Sequence, residues 1–343
     1  MKAGMDDSAR RICTHPFAWC EIHPDGSVFA CCPAWLKTPI GNLLEQSLPE
    51  IWNGPAARGL RRNILNGTFH NCSRKRCPRL ACDAPPVMTT AEVVDPELRA
   101  ALDRGKVHLP YGPKILNLCF DPRCNLSCPT CRRAPLALDD AGRERVGLLT
   151  RRIVEQAAPH AEELIVSGYG DPFGSPAYRE LLAAITPRTW PRLRRVGLHT
   201  NGQLWDAAAW AQLAHLHPLV KSAEISIDAA TAATYDAIRR GGDFGRLLRN
   251  LDFIATLAIP LTFSFVVQCV NYRELPVFVE LARRYGAVVY LGQLVNWGTF
   301  DRAEFTRRAV HLPGHPEYNE LRAILRQLDE LCDVDLGNLR PLL

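Results

Sequence analysis

Three closely spaced cysteines are the residues of this sequence whose types and spacing most clearly predict chemistry. They stand in the run Cys124-Asn-Leu-Ser-Cys128-Pro-Thr-Cys131, directly after an apolar stretch, residues 115–120, that predicts a buried strand. Three thiolates on one loop indicate a metal site, and gaps of three and two residues differ from those of zinc ribbons and bacterial ferredoxins. Three ligands on a four-iron cluster leave one iron open to bind and activate a small molecule.

This triplet resembles the signature of the radical S-adenosylmethionine (radical SAM) enzymes. The resemblance implies a [4Fe–4S] cluster held by Cys124, Cys128 and Cys131, with S-adenosylmethionine on the open iron. It also implies reductive cleavage of that cofactor to a 5′-deoxyadenosyl radical, which takes a hydrogen atom from a substrate carbon. The alternative of another class is a non-catalytic iron–sulfur or zinc protein that uses the same thiols for structure.

The chain after residue 110 alternates between predicted strands and predicted helices. The predicted strands are residues 115–120, 163–167, 195–199, 223–227, 261–267 and 288–291, and the intervening helices are 143–157, 177–185, 207–216, 232–238, 244–257 and 274–285. Such alternation predicts an α/β fold with a parallel sheet and right-handed crossovers. Six units are too few for a closed eight-fold barrel. We therefore expect a partial (β/α)6 TIM-like barrel, which is also the core fold of the family that the triplet resembles.

Composition shifts divide the chain into four predicted segments. A cysteine-rich module covers residues 1–86, a linker 87–110, the partial barrel 111–300 and a helical tail 301–343. The proline-rich residues 84–86 mark the end of the first module.

Polar and glycine residues follow the predicted barrel strands, where parallel α/β folds bind ligands. The resemblance implies that these residues contact the cofactor, and they are Gly168, Gly170, Asp171, Asn201, Ser226, Asp228 and Gln268. Asp171 stands where the family usually has a glutamate that receives the methionine amino group. Asp228 could instead cap the helix predicted over residues 232–238. Arg239 and Arg240 could bind a carboxylate or phosphate, with surface solvation expected for at least one of them.

The amino-terminal module holds a predicted hairpin, with an Asp25-Gly26 turn, flanked by thiols. It resembles the SPASM or twitch domains that bind auxiliary four-iron clusters, although those domains usually follow the barrel. The resemblance implies a second [4Fe–4S] cluster closed by four thiols. The predicted ligands are Cys13, Cys31, Cys72 and Cys77, with Cys32 and Cys82 as alternative ligands. Cys20 is expected in the core as a small apolar residue, and zinc remains an alternative metal for this site.

The charge and hydropathy of the chain narrow its environment. The net charge is +5, and the short pairs Arg10-Arg11, Arg61-Arg62 and Arg194-Arg195 predict solvated faces, so no nucleic-acid partner is expected. No apolar run reaches the length of a membrane span and no signal-peptide pattern is present. We expect a cytoplasmic protein without a membrane partner, and the resemblance implies an electron donor such as flavodoxin or ferredoxin.

The overall reaction is the least determined part of this interpretation. We expect oxidation of a sugar- or aminocyclitol-like small molecule, with the auxiliary cluster as electron acceptor. The alternatives are a redox-neutral epimerase and an enzyme that modifies ribosomally made peptides. Epimerisation needs a hydrogen donor, and Cys269 at the end of the fifth barrel strand is the candidate thiol, although burial in the core is the expected role for that residue.

Overall fold

The computed structural model describes residues 11–74, 76–82 and 86–343, apart from the side chains of residues 81 and 82. The chain folds into two compact units. The first unit extends to Asp121 and includes Asp140–Ile165 and Ile185–Arg194; the second comprises Pro122–Asp139, Val166–Ala184 and Arg195–Leu343. Arg10 and the predicted module boundary at residues 84–85 lie outside the described residues.

Short strands and helices make up the chain up to Val166. These elements are β1 (Arg11–Cys13), α1 (His15–Ala18), β2 (Trp19–Ile22), β3 (Ser27–Phe29), β4 (Gly41–Asn42), α2 (Leu48–Trp52), α3 (Pro55–Leu65), α4 (Pro78–Cys82), β5 (Val87–Thr89), α5 (Pro96–Asp103), β6 (Ile115–Leu118), α6 (Asp140–Gln156) and β7 (Glu163–Val166).

The predicted hairpin is confirmed, and the first strand of that hairpin also continues a parallel sheet. Strands β2 and β3 pair antiparallel, and Gly26 in their turn adopts a φ of 82° that an L side chain rarely takes. On its other side β2 runs parallel to β6, with Cys20 opposite Leu116. Both of these residues are fully buried. The cysteine-rich hairpin is therefore hydrogen-bonded directly to the strand that precedes the cysteine triplet.

Longer strand–helix pairs follow in the second unit. They are α7 (Pro176–Ala183), β8 (Arg195–Thr200), α8 (Ala207–Ala211), β9 (Val220–Ser226), α9 (Ala232–Ile238), α10 (Phe244–Ile254), β10 (Leu261–Val267), α11 (Leu275–Arg284), β11 (Val288–Gln293), α12 (Arg302–Arg308), α13 (Tyr318–Asp329) and β12 (Val334–Asp335). Strands β8 to β12 pair parallel in chain order. The predicted α/β class is confirmed, and β12 adds a strand from the predicted helical tail.

Aromatic side chains from successive elements form the core of this second unit. Phe263 and Phe265 of β10 pack on Phe278 of α11, with ring centroids 6.4 and 4.8 Å apart. All three rings are almost completely buried, and each such burial stabilises the fold by about 2–3 kcal/mol. This packing fixes the strands whose carboxyl ends carry the polar residues discussed below.

Two sequence expectations are corrected by burial. Arg61 is fully buried rather than solvated, because its guanidinium donates to the carbonyls of Pro16 and Val107 and lies 4.5 Å from the ring of Trp52. Cys269 is partly exposed at the surface rather than buried in the core. Among the described residues, no helix combines the length and apolar character needed to cross a bilayer.

Candidate metal and cofactor site

The sulfur atoms of the cysteine triplet each lie beside a nitrogen donor. These donors are Asn201 Nδ2 at 3.5 Å and Leu126 N at 3.4 Å from Cys124 Sγ, Arg239 Nη1 at 3.9 Å from Cys128 Sγ, and Arg132 Nη2 at 3.3 Å from Cys131 Sγ. Burial raises the pKa of Cys124 to about 11, so this thiol carries its proton at neutral pH until a metal displaces it. Positive charge and N–H donors around the sulfurs suit the thiolate set of an anionic iron–sulfur cluster.

The loop after β7 is tied to the loop after β8 through Asp171. This carboxylate is 1% exposed and accepts four hydrogen bonds of 2.8–2.9 Å, two at each oxygen. The donors are the amides of Phe173, Gly174 and Asn201 and the hydroxyl of Thr200. With both oxygens engaged in this way, Asp171 fixes the position of Asn201, which in turn contacts Cys124. Burial raises the pKa of Asp171, and the hydrogen bonds act in the opposite direction.

A buried ion pair stands beside the middle cysteine of the triplet. Asp228 adopts a left-handed backbone conformation with a φ of 63°, and its Oδ2 lies 2.8 Å from Arg239 Nη2. Its Oδ1 accepts from the amide of Val266 on β10 at 2.7 Å. The cap of α9 is Thr231, whose side chain accepts from the Thr234 amide. The alternative role of Asp228 as that cap is therefore wrong, whereas Arg240 is exposed as expected.

Two buried side chains at strand ends keep polar atoms without a hydrogen-bond partner among the described residues. Gln268, after β10, is completely buried, yet neither its Nε2 nor its Oε1 has such a partner. Ser167, after β7, leaves its Oγ in the same condition. Because buried polar atoms are normally satisfied, these atoms point to a polar ligand that completes their hydrogen bonds.

The remaining predicted cofactor residues have looser surroundings. Ser226 accepts a hydrogen bond of 3.2 Å from the Ser264 hydroxyl of the neighbouring strand. Gly168 is exposed, and Gly170 adopts a φ of 92° that favours glycine. Sequence reasoning missed Arg132, although it directly follows Cys131.

The four predicted auxiliary ligands lie close together in the first unit. Burial raises the pKa of Cys13 to about 12, and the neighbouring thiols of Cys72 and Cys77 raise it further. Burial likewise raises the pKa of Cys31, with Cys13 and Cys77 adding to that shift. Thiolates that destabilise one another in this way are typical of a site where a metal cation supplies the balancing positive charge.

Two aromatic residues that sequence reasoning did not identify contact Cys31. The indole Nε1 of Trp35 donates to Cys31 Sγ at 3.1 Å, and His15 Nδ1 lies 3.5 Å from the same sulfur. Burial lowers the pKa of His15 to about 4, so this imidazole is neutral at neutral pH. The only sequence signal was proximity, because Trp35 follows Cys31 by four positions.

The other thiols of the module differ from these four. Cys20 is fully buried on β2, which confirms the apolar role predicted for it. Burial raises the pKa of Cys32 to about 12, and the largest charge acting on it is the carboxylate of Glu21. The side chain of Cys82 lies outside the described residues.

Comparison with known families adds two matches. Residues 119–282 match the model of the "Radical SAM superfamily", and residues 13–78 match that of SPASM, an "Iron-sulfur cluster-binding domain". The two matched ranges contain the cysteine triplet and the four-thiol set respectively.

Similar curated proteins match through part of their length. The chain is 30% identical over 178 residues to the mycofactocin maturase MftC of Mycobacterium ulcerans, covering 50% of this chain and 44% of that protein. It is 29% identical over 189 residues to the PqqA peptide cyclase of Granulibacter bethesdensis, covering 52% and 47%. It is 27% identical over 200 residues to the GTP 3′,8-cyclase of a Synechocystis species, covering 55% and 57%. The chain thus spans about half the length of the curated relatives it matches.

Proposed function

The chain belongs to the radical S-adenosylmethionine superfamily, with a SPASM domain ahead of a radical SAM domain in a partial α/β barrel, and from this premise we propose that it modifies a peptide substrate. The similarity to the PqqA peptide cyclase, a protein named for a peptide substrate, carries this proposal. The mycofactocin maturase is also similar. The expectation of a sugar-like substrate has no comparable support.

Cys124, Cys128 and Cys131 would hold the [4Fe–4S] cluster of this reaction. When bound, that cluster and S-adenosylmethionine supply a 5′-deoxyadenosyl radical, which abstracts a hydrogen atom from a substrate carbon. The nitrogen donors beside all three sulfurs fit an anionic cluster. The unpartnered amide of Gln268 fits a polar cofactor nearby in the same unit.

The polar residues at the strand ends divide into binding and positioning roles in this proposal. Gln268, Ser226 and Arg239 would bind the polar groups of S-adenosylmethionine. Asp171 would act through Asn201 rather than on the cofactor, since its oxygens already accept four hydrogen bonds. Gly168 and Gly170 would let the backbone of the same loop approach the cofactor.

Neighbouring strands carry polar residues that would bind the substrate. His199 lies opposite Glu224 in the pairing of β8 with β9, and Ser226 lies opposite Ser264 in the pairing of β9 with β10. The side chains of His199 and Glu224 are 33% and 31% exposed, and their charged atoms are 3.9 Å apart. Parallel strands covered by helices are normally apolar on both faces. Hydroxyl, imidazole and carboxylate groups here would therefore contact the amides and side chains of a bound peptide.

Cys13, Cys31, Cys72 and Cys77 would close the auxiliary cluster. Four protein ligands leave no open iron, so these residues suit a cluster that exchanges electrons with the substrate and does not bind it. A substrate radical formed by hydrogen abstraction would lose one electron to this cluster and one proton to a base, with formation of a double bond or a ring. A flavodoxin or ferredoxin would supply electrons for cofactor cleavage, in the cytoplasm.

The test compares two substrate classes in the anaerobically reconstituted protein. One assay contains a library of ribosomally produced peptides, and the other contains a panel of sugars and aminocyclitols; each also contains S-adenosylmethionine and dithionite. We expect 5′-deoxyadenosine to form in proportion to a peptide product that is two mass units lighter, by loss of two hydrogens. Stoichiometric oxidation of a sugar with unchanged peptides would instead support the small-molecule alternative.

A further inference from the structure

A group of three potential metal ligands lies outside both thiol sets. Glu21 and His23 come from β2 and the residue after it, and Cys119 directly follows β6. Because β2 and β6 are parallel, with Glu21 opposite Asn117, their side chains at alternate positions share a face of the sheet. One ligand atom from each of Glu21, His23 and Cys119 lies within 4.8 Å of the other two. The group is thus assembled by the pairing of two strands in the first unit.

The charge balance of this group is incomplete without a cation. Glu21 is 4% exposed and Cys119 2%. Glu21 Oε1 lies 2.8 Å from His23 Nε2, and its Oε2 accepts from Asn117 Nδ2 at 3.0 Å. Within the described part of the chain, no lysine or arginine pairs with Glu21. A buried carboxylate needs a compensating charge, and a divalent metal provides it.

An orphaned oxygen beside the group is a second, independent sign of a ligand. Asn117 is 8% exposed, and its Nδ2 is used by Glu21, yet its Oδ1 has no hydrogen-bond partner among the described residues. A buried amide oxygen normally accepts a hydrogen bond. A water molecule bound to a metal at this group would be a suitable donor.

We propose that Glu21, His23 and Cys119 bind a divalent zinc ion. The mixture of carboxylate, imidazole and thiolate ligands suits the borderline character of zinc, and three protein ligands leave a fourth position for water. The imidazole of His23, whose side chain is 23% exposed, gives the ion a route from solvent. The ion would join β2 to β6, and it shares no ligand with either thiol set.

The test measures zinc in the full chain after both iron sites have been reconstituted, so that those thiols are occupied. The protein is treated with one equivalent of zinc, passed through a desalting column, and analysed by elemental analysis and zinc-edge X-ray absorption. We expect about one zinc per chain, with one sulfur at about 2.3 Å and nitrogen or oxygen neighbours at about 2.0–2.1 Å. A shell of four sulfurs would place the zinc in a cysteine-only site and overturn the proposal.

Matched variants identify the ligands. Cys119→Ser and Glu21→Gln should each weaken zinc binding at least tenfold while the iron content is unchanged. Cys20→Ser, which alters another buried thiol of β2, should retain zinc. If Cys119→Ser does not fold, His23→Asn provides the same comparison at a partly exposed position. Equal zinc affinity in the wild-type protein and in the folded ligand variants would overturn the proposal, and the peptide-modification assay is unaffected by either result.

Discussion

At Cys31, the indole N–H of Trp35 lies 3.1 Å from the sulfur and is one of the contacts that distinguish a prepared thiol from an ordinary one. The spacing of cysteines along the chain predicted which thiols could bind metal. It could not predict their donors, because Asn201 approaches Cys124 across 77 positions of sequence and Arg239 approaches Cys128 across 111. Such contacts depend on how the strands are ordered and are invisible to local pattern.

Replacement of Trp35 by phenylalanine should make the auxiliary cluster harder to reduce. The N–H donor stabilises the more negative, reduced state, and loss of about 1 kcal/mol of this preference lowers the potential by about 40 mV. Potentiometric titration followed by electron paramagnetic resonance measures the shift. Trp297→Phe, at an exposed indole, is the matched control and should leave the potential unchanged. An unshifted potential in Trp35→Phe would contradict the role assigned to this hydrogen bond.

Replacement of Asp171 by asparagine should destabilise the protein and the cysteine loop together. An amide presents one oxygen in place of two and turns an NH2 group toward existing donors, so about 2–4 kcal/mol of stability is expected to be lost. Urea unfolding of the iron-free protein measures this loss. Asp206→Asn is the matched control, because Asp206 only caps α8 and asparagine caps helices equally well. A stability equal to that of the control would show that Asp171 is not a positioning residue.

Among the elements, the partners of β2 were the main feature that the sequence did not predict. Periodicity and the Asp25-Gly26 turn predicted the hairpin correctly, and the predicted and observed bounds of β10 and α9 agree. The pairing of β2 with β6 joins residues 96 positions apart in sequence, such as Glu21 and Asn117. Two-residue β12 was missed because so short a strand has no detectable alternation. Local patterns therefore predict elements well and pairings between distant elements poorly.

The pairing of β2 with β6 predicts that the carboxyl-terminal part of the chain does not fold alone. A fragment of residues 87–343 would expose the β2-facing edge of β6, together with fully buried residues such as Leu116 and Leu118. An unpaired apolar edge promotes aggregation. We expect the fragment to elute as aggregates in size-exclusion chromatography and to lack a cooperative thermal transition. A monomeric fragment with cooperative unfolding would instead support residue 86 as an independent domain boundary.

At the scale of the whole molecule, the buried titratable groups set the pH range in which the iron-free chain is stable. Burial raises the pKa of Cys13 and Cys32 to about 12, and that of Cys72 and Cys124 to about 11. Burial also lowers the pKa of His15 to about 4. These shifts oppose folding at both extremes of pH, because the unfolded chain ionises where the folded chain does not.

The iron-free protein should therefore be most stable between about pH 6.5 and 9. Above pH 9 the Cys13 thiol ionises in the unfolded chain, whereas in the folded chain it stays neutral until about pH 12, so its contribution to stability is lost across that window. At pH 10 the loss is about 1.4 kcal/mol for this thiol. As the pH falls from 6.5 through 4, neutral burial of His15 becomes unfavourable and stability falls again. Anaerobic urea unfolding at a series of pH values measures both limbs. Cys13→Ser should flatten the alkaline limb, and Cys332→Ser, at an exposed thiol, should not. Iron reconstitution should flatten it further, since a thiolate bound to iron no longer titrates. A stability that is the same at pH 8 and pH 10 in the iron-free protein would show that these thiols are not held neutral by the fold.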